Sequence, residues 1–375
     1  MAFIGGPRQV GKTTVAQNLS KSYNNTVYLN WDSRNDRETI IKEAWNPEAD
    51  LLSFDELHKY EKWKSYIKGI WDTQKEHKKI IVTGSSRLDI FRRGGDSLLG
   101  RYRYYRLHPF SLREINEKSD YNVAYNKNMF QLKFPNPAKG LETLFKFGGF
   151  PEPFLSQSDI DLQRWQNERF ERIFREDIRD VENIQHISKV ELLGHLLTKR
   201  TASPLSLASL KDDVSASPAT IIKWIELLCI NYFIFKVPPY HKRLERALKK
   251  ESKYYLWDWS EISNDGDKFE NLLAVHLLKF CHYQHDIFGI RCELFYLRDR
   301  EKREVDFLLT WNEAPWMLIE SKLNKPDNVK NINYFSQKLK VPWSYVVTFS
   351  EDADYIDKQT KCRIVPASKF LMAMA

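Results

Sequence analysis

Residues 6–13 read Gly6-Pro7-Arg8-Gln9-Val10-Gly11-Lys12-Thr13, with Thr14 following. The pattern is a glycine, four residues, a second glycine, a lysine and a hydroxyl residue. Each part has a task around a chain of phosphates. The glycines let backbone N–H groups turn toward phosphate oxygens. A helix opening just after the loop offers its N-terminal N–H groups and positive dipole end to the same charge. Lys12 then reaches the β- and γ-phosphates, and Thr13 ligates Mg2+. An apolar strand at 2–4 precedes the loop and an amphipathic helix at 15–23 follows it. That context separates a phosphate loop from a glycine-rich turn. The expectation is that Gly6, Pro7, Arg8, Gln9, Val10, Gly11, Lys12, Thr13 and Thr14 cradle Mg-ATP.

Outward from this loop, short β-rich runs at 26–29, 51–54, 79–83 and 102–107 alternate with helical stretches. That alternation predicts a parallel sheet with crossover helices. The run Leu51-Leu52-Ser53-Phe54-Asp55-Glu56 is an apolar strand that ends in two carboxylates. Asp55 is expected to hold Mg2+ through water. Glu56 is expected to polarise the attacking water as general base. The next strand closes on Thr83-Gly84-Ser85-Ser86, and Thr83 or Ser85 should contact the γ-phosphate or the lytic water. Arg101, after Leu98-Leu99-Gly100, is read as an arginine finger lent to a neighbouring subunit to neutralise transition-state charge. A plain surface arginine is the equal alternative, and Arg92 and Arg93 compete for the role.

The chain has 375 residues, which favours two or three domains. No apolar run reaches the ~18–20 residues that span a bilayer, so no membrane partner is expected. The N-terminus lacks a basic stretch followed by an apolar core, so no secretory signal is read. Cys229, Cys281, Cys292 and Cys362 are scattered, which argues against a zinc site and fits free thiols in a reducing cytoplasm. A net charge of +8 leans toward a polyanionic partner.

Past residue 120, a polar stretch at 121–139 reads as a loop, 147–153 as a turn-rich joint and 161–183 as helix. Helices are predicted at 190–199 and 205–214, and a third opens at Ser217-Pro218. The third carries Ile221, Ile222, Ile225, Leu228 and Cys229 on one side. Residues 231–237 follow as a β-ribbon. Three helices and a ribbon are the order of a winged helix, with Thr220 and Lys223 facing outward on the recognition helix. Lys236, His241, Lys242, Arg243, Arg246, Lys249 and Lys250 form a basic cluster suited to phosphates, a solvated linker being the alternative. Beyond it come a strand at 254–256, a helix at 268–280, and strands at 294–297, 304–310, 317–321 and 344–349. Asp306 lies on one strand, and Glu320-Ser321-Lys322 closes the next.

The loop at 6–14, Phe54-Asp55-Glu56-Leu57-His58-Lys59, Trp63, Thr83-Gly84-Ser85-Ser86 and the Leu-Gly-Arg before Pro109-Phe110-Ser111 together resemble a prokaryotic AAA-type P-loop ATPase family. Its members join the ATPase domain to a winged helix and a C-terminal domain of restriction-endonuclease-like fold, PD-(D/E)xK. The resemblance implies an α/β chain divided into an ATPase core (1–120), a helical lid or linker (121–187), a winged helix (188–245) and an endonuclease-like domain (246–375). It implies DNA as a partner and a homo-oligomer. In such a fold Asp306 and Glu320 would share Mg2+ or Mn2+, with Lys322 orienting the nucleophile and Glu270 as an additional helix carboxylate. Whether that domain cuts DNA, or only binds DNA or a protein as part of a nucleotide switch, stays open at this point. Two features depart from the family. Met1 stands almost on the first strand, where members carry a preceding segment. Asp258-Trp259-Ser260-Glu261 replaces the usual Asp-Thr-Gly-Leu.

Overall fold

The computed structural model describes residues 1–85, 98, 100–116, 138–178, 187–241 and 251–374. Ser86, Arg92, Arg93, Leu99, Lys242, Arg243, Arg246, Lys249, Lys250, most of the 121–139 stretch and the end of the helix read at 161–183 lie outside the described residues. The chain divides into two compact units, Met1–His108 with Ile230–Tyr232, and Pro109–Cys229 with Phe233–Ala375.

In the first unit the predicted strands all form: β1 (Ala2–Gly5), β2 (Thr26–Asn30), β3 (Leu51–Asp55), β4 (Lys79–Gly84) and β5 (Arg103–Arg106). Between them lie helices α1 (Lys12–Ser20), α2 (Arg34–Lys42) and α3 (Trp63–Gln74). The sheet order is β2-β3-β4-β1-β5, and every pairing is parallel. Strands in such a sheet are covered on both faces, so their apolar residues run without alternation. Phe3, Leu52, Phe54, Ile80 and Val82 pack on one face with Ile40 of α2 and Trp63, Ile67 and Ile70 of α3. Ile4, Leu51 and Ile81 pack on the other with Ala16 of α1. The sheet therefore hands one face and its C-terminal edge to the phosphate loop and α1.

The second unit begins with α4 (Leu112–Asn116), α5 (Leu141–Phe147), α6 (Pro151–Ser156) and α7 (Asp159–Glu171), which runs into a π-helical turn at Arg172–Asp177. The 147–153 joint is thus two short helices meeting at Gly148 and Gly149. The turn at 258–261, which departs from the family pattern, holds α7 in place. Asp258 accepts from Trp165 Nε1 at 2.8 Å, and Arg169 pairs with Glu261 at 2.9 Å, the arginine being buried. Next come α8 (Ile187–Lys199), α9 (Leu207–Val214), α10 (Pro218–Ile230) and β6 (Ile234–Val237). β6 pairs antiparallel with β7 (Lys253–Leu256), so the ribbon takes in the strand expected to open the next domain. On α10 the buried side is Ile221, Trp224, Ile225, Leu227 and Leu228. Ile222, expected on that side, is 43% exposed instead. It stands next to Lys223 on the outward arc, because the helix turns by about 100° per residue.

The chain ends in α11 (Asp265–Phe288), β8 (Cys292–Arg298), β9 (Glu304–Trp311), β10 (Ala314–Lys322), α12 (Lys330–Leu339), β11 (Trp343–Thr348), β12 (Tyr355–Ile356), β13 (Arg363–Pro366) and α13 (Ala367–Phe370). The mixed sheet runs β12-β13-β11-β10-β9-β8. β8, β9 and β10 form an antiparallel meander, and α12 crosses over so that β11 lies parallel to β10. Phe335 and Ile332 of α12 pack on Val305, Leu308, Leu318 and Val346. Cys281 and Cys292 are buried free thiols with their sulfurs 3.3 Å apart. Among the described residues no helix is long and apolar enough to cross a membrane.

His276 of α11 ties this unit together. Its Nε2 accepts the Leu112 N–H at 3.1 Å, and Nδ1 meets the Leu272 carbonyl at 2.8 Å. Serving both needs the neutral ring with the proton on Nδ1. Burial, aided by nearby Lys279 against the opposing pull of Glu114, lowers its value from 6.5 to about 4. A histidine held below its unfolded value resists protonation in the fold while the unfolded chain accepts it. The second unit should therefore lose stability as pH falls from 6.5 toward 4. His276→Ala should cost about 1–3 kcal/mol at neutral pH, through the orphaned Leu112 N–H. It should also flatten the pH dependence in urea unfolding.

Candidate nucleotide site and C-terminal carboxylate cluster

The phosphate loop connects β1 to α1. At Gly6, with φ of +155°, a Cβ would sit 2.4 Å from the Leu107 carbonyl oxygen, so a side chain is excluded there. At Gly11, with φ of +101°, a Cβ would have nothing within 4 Å. The loop is thus pinned at its start and opens toward solvent at the helix N-terminus. Lys12 is buried, and its ammonium donates to the carbonyls of Gly6 at 3.1 Å and Pro7 at 2.6 Å. Arg8 and Gln9 lie exposed on the loop, and Thr13 and Thr14 are exposed at the first turn of α1.

The register of the sheet brings the rest of the site to this loop. Asp55 is paired with Thr83, and Thr83 with Ile4. Alternation puts Asp55 on the same face as Leu51, the face covered by α1. There Asp55 accepts three hydroxyls: Thr13 at 2.7 Å and Tyr28 at 2.6 Å on one oxygen, and Thr83 on the other. Burial works against ionising Asp55. The donors Thr83, Tyr28 and Thr13, with Lys12 nearby, outweigh it and hold the carboxyl below its ordinary value. Burial and the Asp55 charge push the Tyr28 phenol upward, so its hydroxyl stays a donor. The oxygen-only meeting of Thr13 and Asp55 suits Mg2+, and the glycine-gated loop suits phosphate. These residues fit Mg-ATP.

Glu56 follows Asp55 in a left-handed conformation, φ +54°. This turns its carboxylate out of the strand, 3.3 Å from Lys59 Nζ and 3.7 Å from His58 Nε2. Lys59 also donates to Asp32 at 2.6 Å. Ser85 is buried at the end of β4. Arg101 meets Asp72 of α3 in the same chain through Nε at 2.8 Å and Nη2 at 3.3 Å. Tyr28 is the site residue that sequence reasoning missed. It stands in a β-strand like any other aromatic, and only the register of β2 beside β3 brings it to Asp55.

In the second unit Glu270, Asp306, Glu320 and Lys322 come to one end of the mixed sheet. Ile319 pairs with Phe307, so continuing that register by one step sets Glu320 opposite Asp306. Asp306 Oδ2 accepts the Ser321 N–H at 2.8 Å and the Ser321 hydroxyl at 2.7 Å. Lys322 pairs with Glu320 at 3.0 Å. Burial, then Asp306, pushes Glu270 up to about 8, and burial raises Glu320 against the pull of Lys322. Sequence reasoning missed Lys253 of β7. Its ammonium lies 3.0 Å from Glu270, 2.7 Å from Glu304 and 4.0 Å from Asp306. Tyr255, two residues on and on the same face, donates to Glu270 at 2.7 Å. Among the described residues, no three His, Cys, Asp or Glu side chains group as ligands of one metal ion. Asp306 and Glu320, expected to share a metal ion, stand opposite each other, each with partners of its own: Ser321 for Asp306 and Lys322 for Glu320.

If the Tyr28 hydroxyl steadies Asp55 for Mg2+, Tyr28→Phe should weaken Mg-ATP affinity roughly tenfold, the worth of one hydrogen bond to a charged group. The protein should stay folded. Calorimetric titration with and without Mg2+ checks this, and the loss should be confined to the Mg2+ arm.

Comparison with known proteins agrees with this geometry. Residues 1–116 match a family model described as AAA domain. Residues 138–261 and 265–370 match two models described as domains of unknown function, DUF8612 and DUF4143. An uncharacterized protein of Methanocaldococcus jannaschii is 23% identical over 362 residues, covering 90% of this chain and 78% of its own length. A second from that organism is 22% identical over 334 residues, covering 75% and 68%. An uncharacterized protein of Haemophilus influenzae is 22% identical over 316 residues, covering 74% of each. The N-terminal region is thus similar to AAA domains, and the two regions after it match domains of unassigned function.

Proposed function

We propose that this chain hydrolyses Mg-ATP and uses that cycle to engage DNA, in particular branched or broken DNA. The observation that carries the ATPase reading is the meeting of Thr13, Tyr28 and Thr83 on Asp55 at the mouth of the phosphate loop. Bound Mg-ATP supplies the scissile phosphoanhydride and a divalent charge. Lys12 and the loop N–H groups hold the phosphates. Thr13 and Asp55 hold the ion, directly or through water. Glu56 is the general base, and it must leave Lys59 to take a proton from water. Thr83 is already committed to Asp55, which leaves Ser85 as the hydroxyl for the γ-phosphate or the water. Arg101 serves as a finger to a neighbouring subunit of a homo-oligomer once it releases Asp72.

The DNA reading rests on the net charge of +8 and on the order of α8, α9, α10 and the β6–β7 ribbon, which is that of a winged helix. Lys223 is exposed on α10, and Lys236 is exposed on the ribbon. The α11-β8-β9-β10-α12-β11 order supports an endonuclease-like fold for the C-terminal region. A second reading is a nucleotide-dependent scaffold with a silent C-terminal domain and a protein partner. It is favoured by the outward face of α10, where exposed Ile222 and Glu226 flank Lys223 in a mixed surface.

Lys12→Ala should abolish both nucleotide binding and turnover. Glu56→Gln should keep ATP affinity while turnover falls at least about 100-fold, the usual weight of a general base. Undiminished hydrolysis in either variant contradicts the site assignment. The DNA reading predicts binding to duplex or branched DNA that weakens steeply with salt, together with ATPase stimulation by DNA. An absence of binding at low salt would leave the scaffold reading.

A further inference from the structure

The carboxylates at the end of the mixed sheet already have cations of their own. Lys253 is the central one: its side chain is 1% exposed, and it reaches Glu270, Glu304 and Asp306. Glu304 also pairs with Arg298 at 3.0 Å, and Glu320 with Lys322 at 3.0 Å. Asp306 spends its second oxygen on the N–H and hydroxyl of Ser321. Glu270 takes the Tyr255 hydroxyl besides Lys253. Four carboxylates thus face Lys253, Lys322 and Arg298, and the cluster is close to neutral without any added ion.

In an endonuclease-like fold a divalent ion would need open oxygens from Asp306 and Glu320 in one coordination sphere. These residues do not fit that need. One Asp306 oxygen is closed by Ser321 and the other faces an ammonium. Glu320 is drawn toward Lys322. A divalent ion entering here would also meet a like charge at Lys253, whose burial weakens solvent screening of the repulsion. A lysine is rarely buried without such pairing, and it stays here because the carboxylates surround it.

We infer that the Lys253 ammonium is the resident cation of this cluster, holding the place that a divalent ion takes in metal-dependent nucleases. The domain then keeps the carboxylates and lysine of a cleavage site but binds no divalent ion between them. This inference takes the endonuclease-like reading of the C-terminal fold as its frame and does not depend on ATP hydrolysis.

The test is Mn2+ titration of the nucleotide-free full chain, followed by electron paramagnetic resonance and by thermal unfolding. Wild type should show no saturable Mn2+ site that Asp306→Asn removes. Lys253→Met should gain one Mn2+ per chain and a rise in melting temperature with Mn2+. Both gains should vanish in Lys253→Met/Asp306→Asn. A saturable wild-type site lost on Asp306→Asn overturns the inference, and so does a folded Lys253→Met that gains none. If Lys253→Met does not fold, wild type against Asp306→Asn decides by itself. Mn2+ binding that survives Asp306→Asn belongs elsewhere, for instance at Asp55, so this outcome leaves the two sites distinguishable.

Discussion

The first unit depends on the register that sets Asp55 beside Thr83 on adjacent parallel strands. A carboxylate at that depth is costly unless hydrogen bonds replace its water. Thr83 supplies one from its own sheet neighbour, Tyr28 another from the strand on the other side, and Thr13 a third from the helix after the phosphate loop. β2, β3, β4 and α1 all converge on a single pair of oxygens. A slip of one residue in any of these strands would turn its contribution to the opposite face. The same register that builds the apolar core therefore also builds the nucleotide site.

The mixed sheet solves a similar problem in another way. Glu270, Glu304 and Asp306 gather around Lys253, which arrives from a strand outside that sheet. In the first unit the carboxylate is braced by neutral hydroxyls and keeps its charge. In the second the carboxylates are paired with ammonium and guanidinium groups of the chain itself. The contrast is between a carboxylate braced by hydroxyls and carboxylates gathered around a cation of the chain itself.

How much was legible in the sequence follows from what each residue depends on. The five strands of the first unit were readable because strands covered on both faces are apolar runs bounded by turns. The phosphate loop was readable because its chemistry is local. Asp55 and Glu56 were readable because they stand at the end of such a run. Tyr28 and Lys253 were not, since each takes its role from a neighbour brought by register or by a crossing strand. Ile222 reads as core in the sequence because the helix is apolar over most of its surface, and only packing decides which arc faces inward. Helix α12 is hard to read from sequence because Lys330, Asn331 and Asn333 interrupt its apolar stripe of Ile332 and Phe335. The departure at Asp258-Trp259-Ser260-Glu261 was visible as a departure, but its bonds to Trp165 and Arg169 depend on tertiary contacts.

On the proposed reading, Asp55 is a braced carboxylate awaiting a metal bound with nucleotide. Asp55→Asn keeps the shape of the side chain and removes its charge. The direct measurement is steady-state ATP hydrolysis beside nucleotide affinity in the presence and absence of Mg2+. The variant should lose hydrolysis and the Mg2+-dependent part of its affinity while remaining folded. Hydrolysis at the wild-type rate, or a Mg2+ dependence left unchanged, would contradict it.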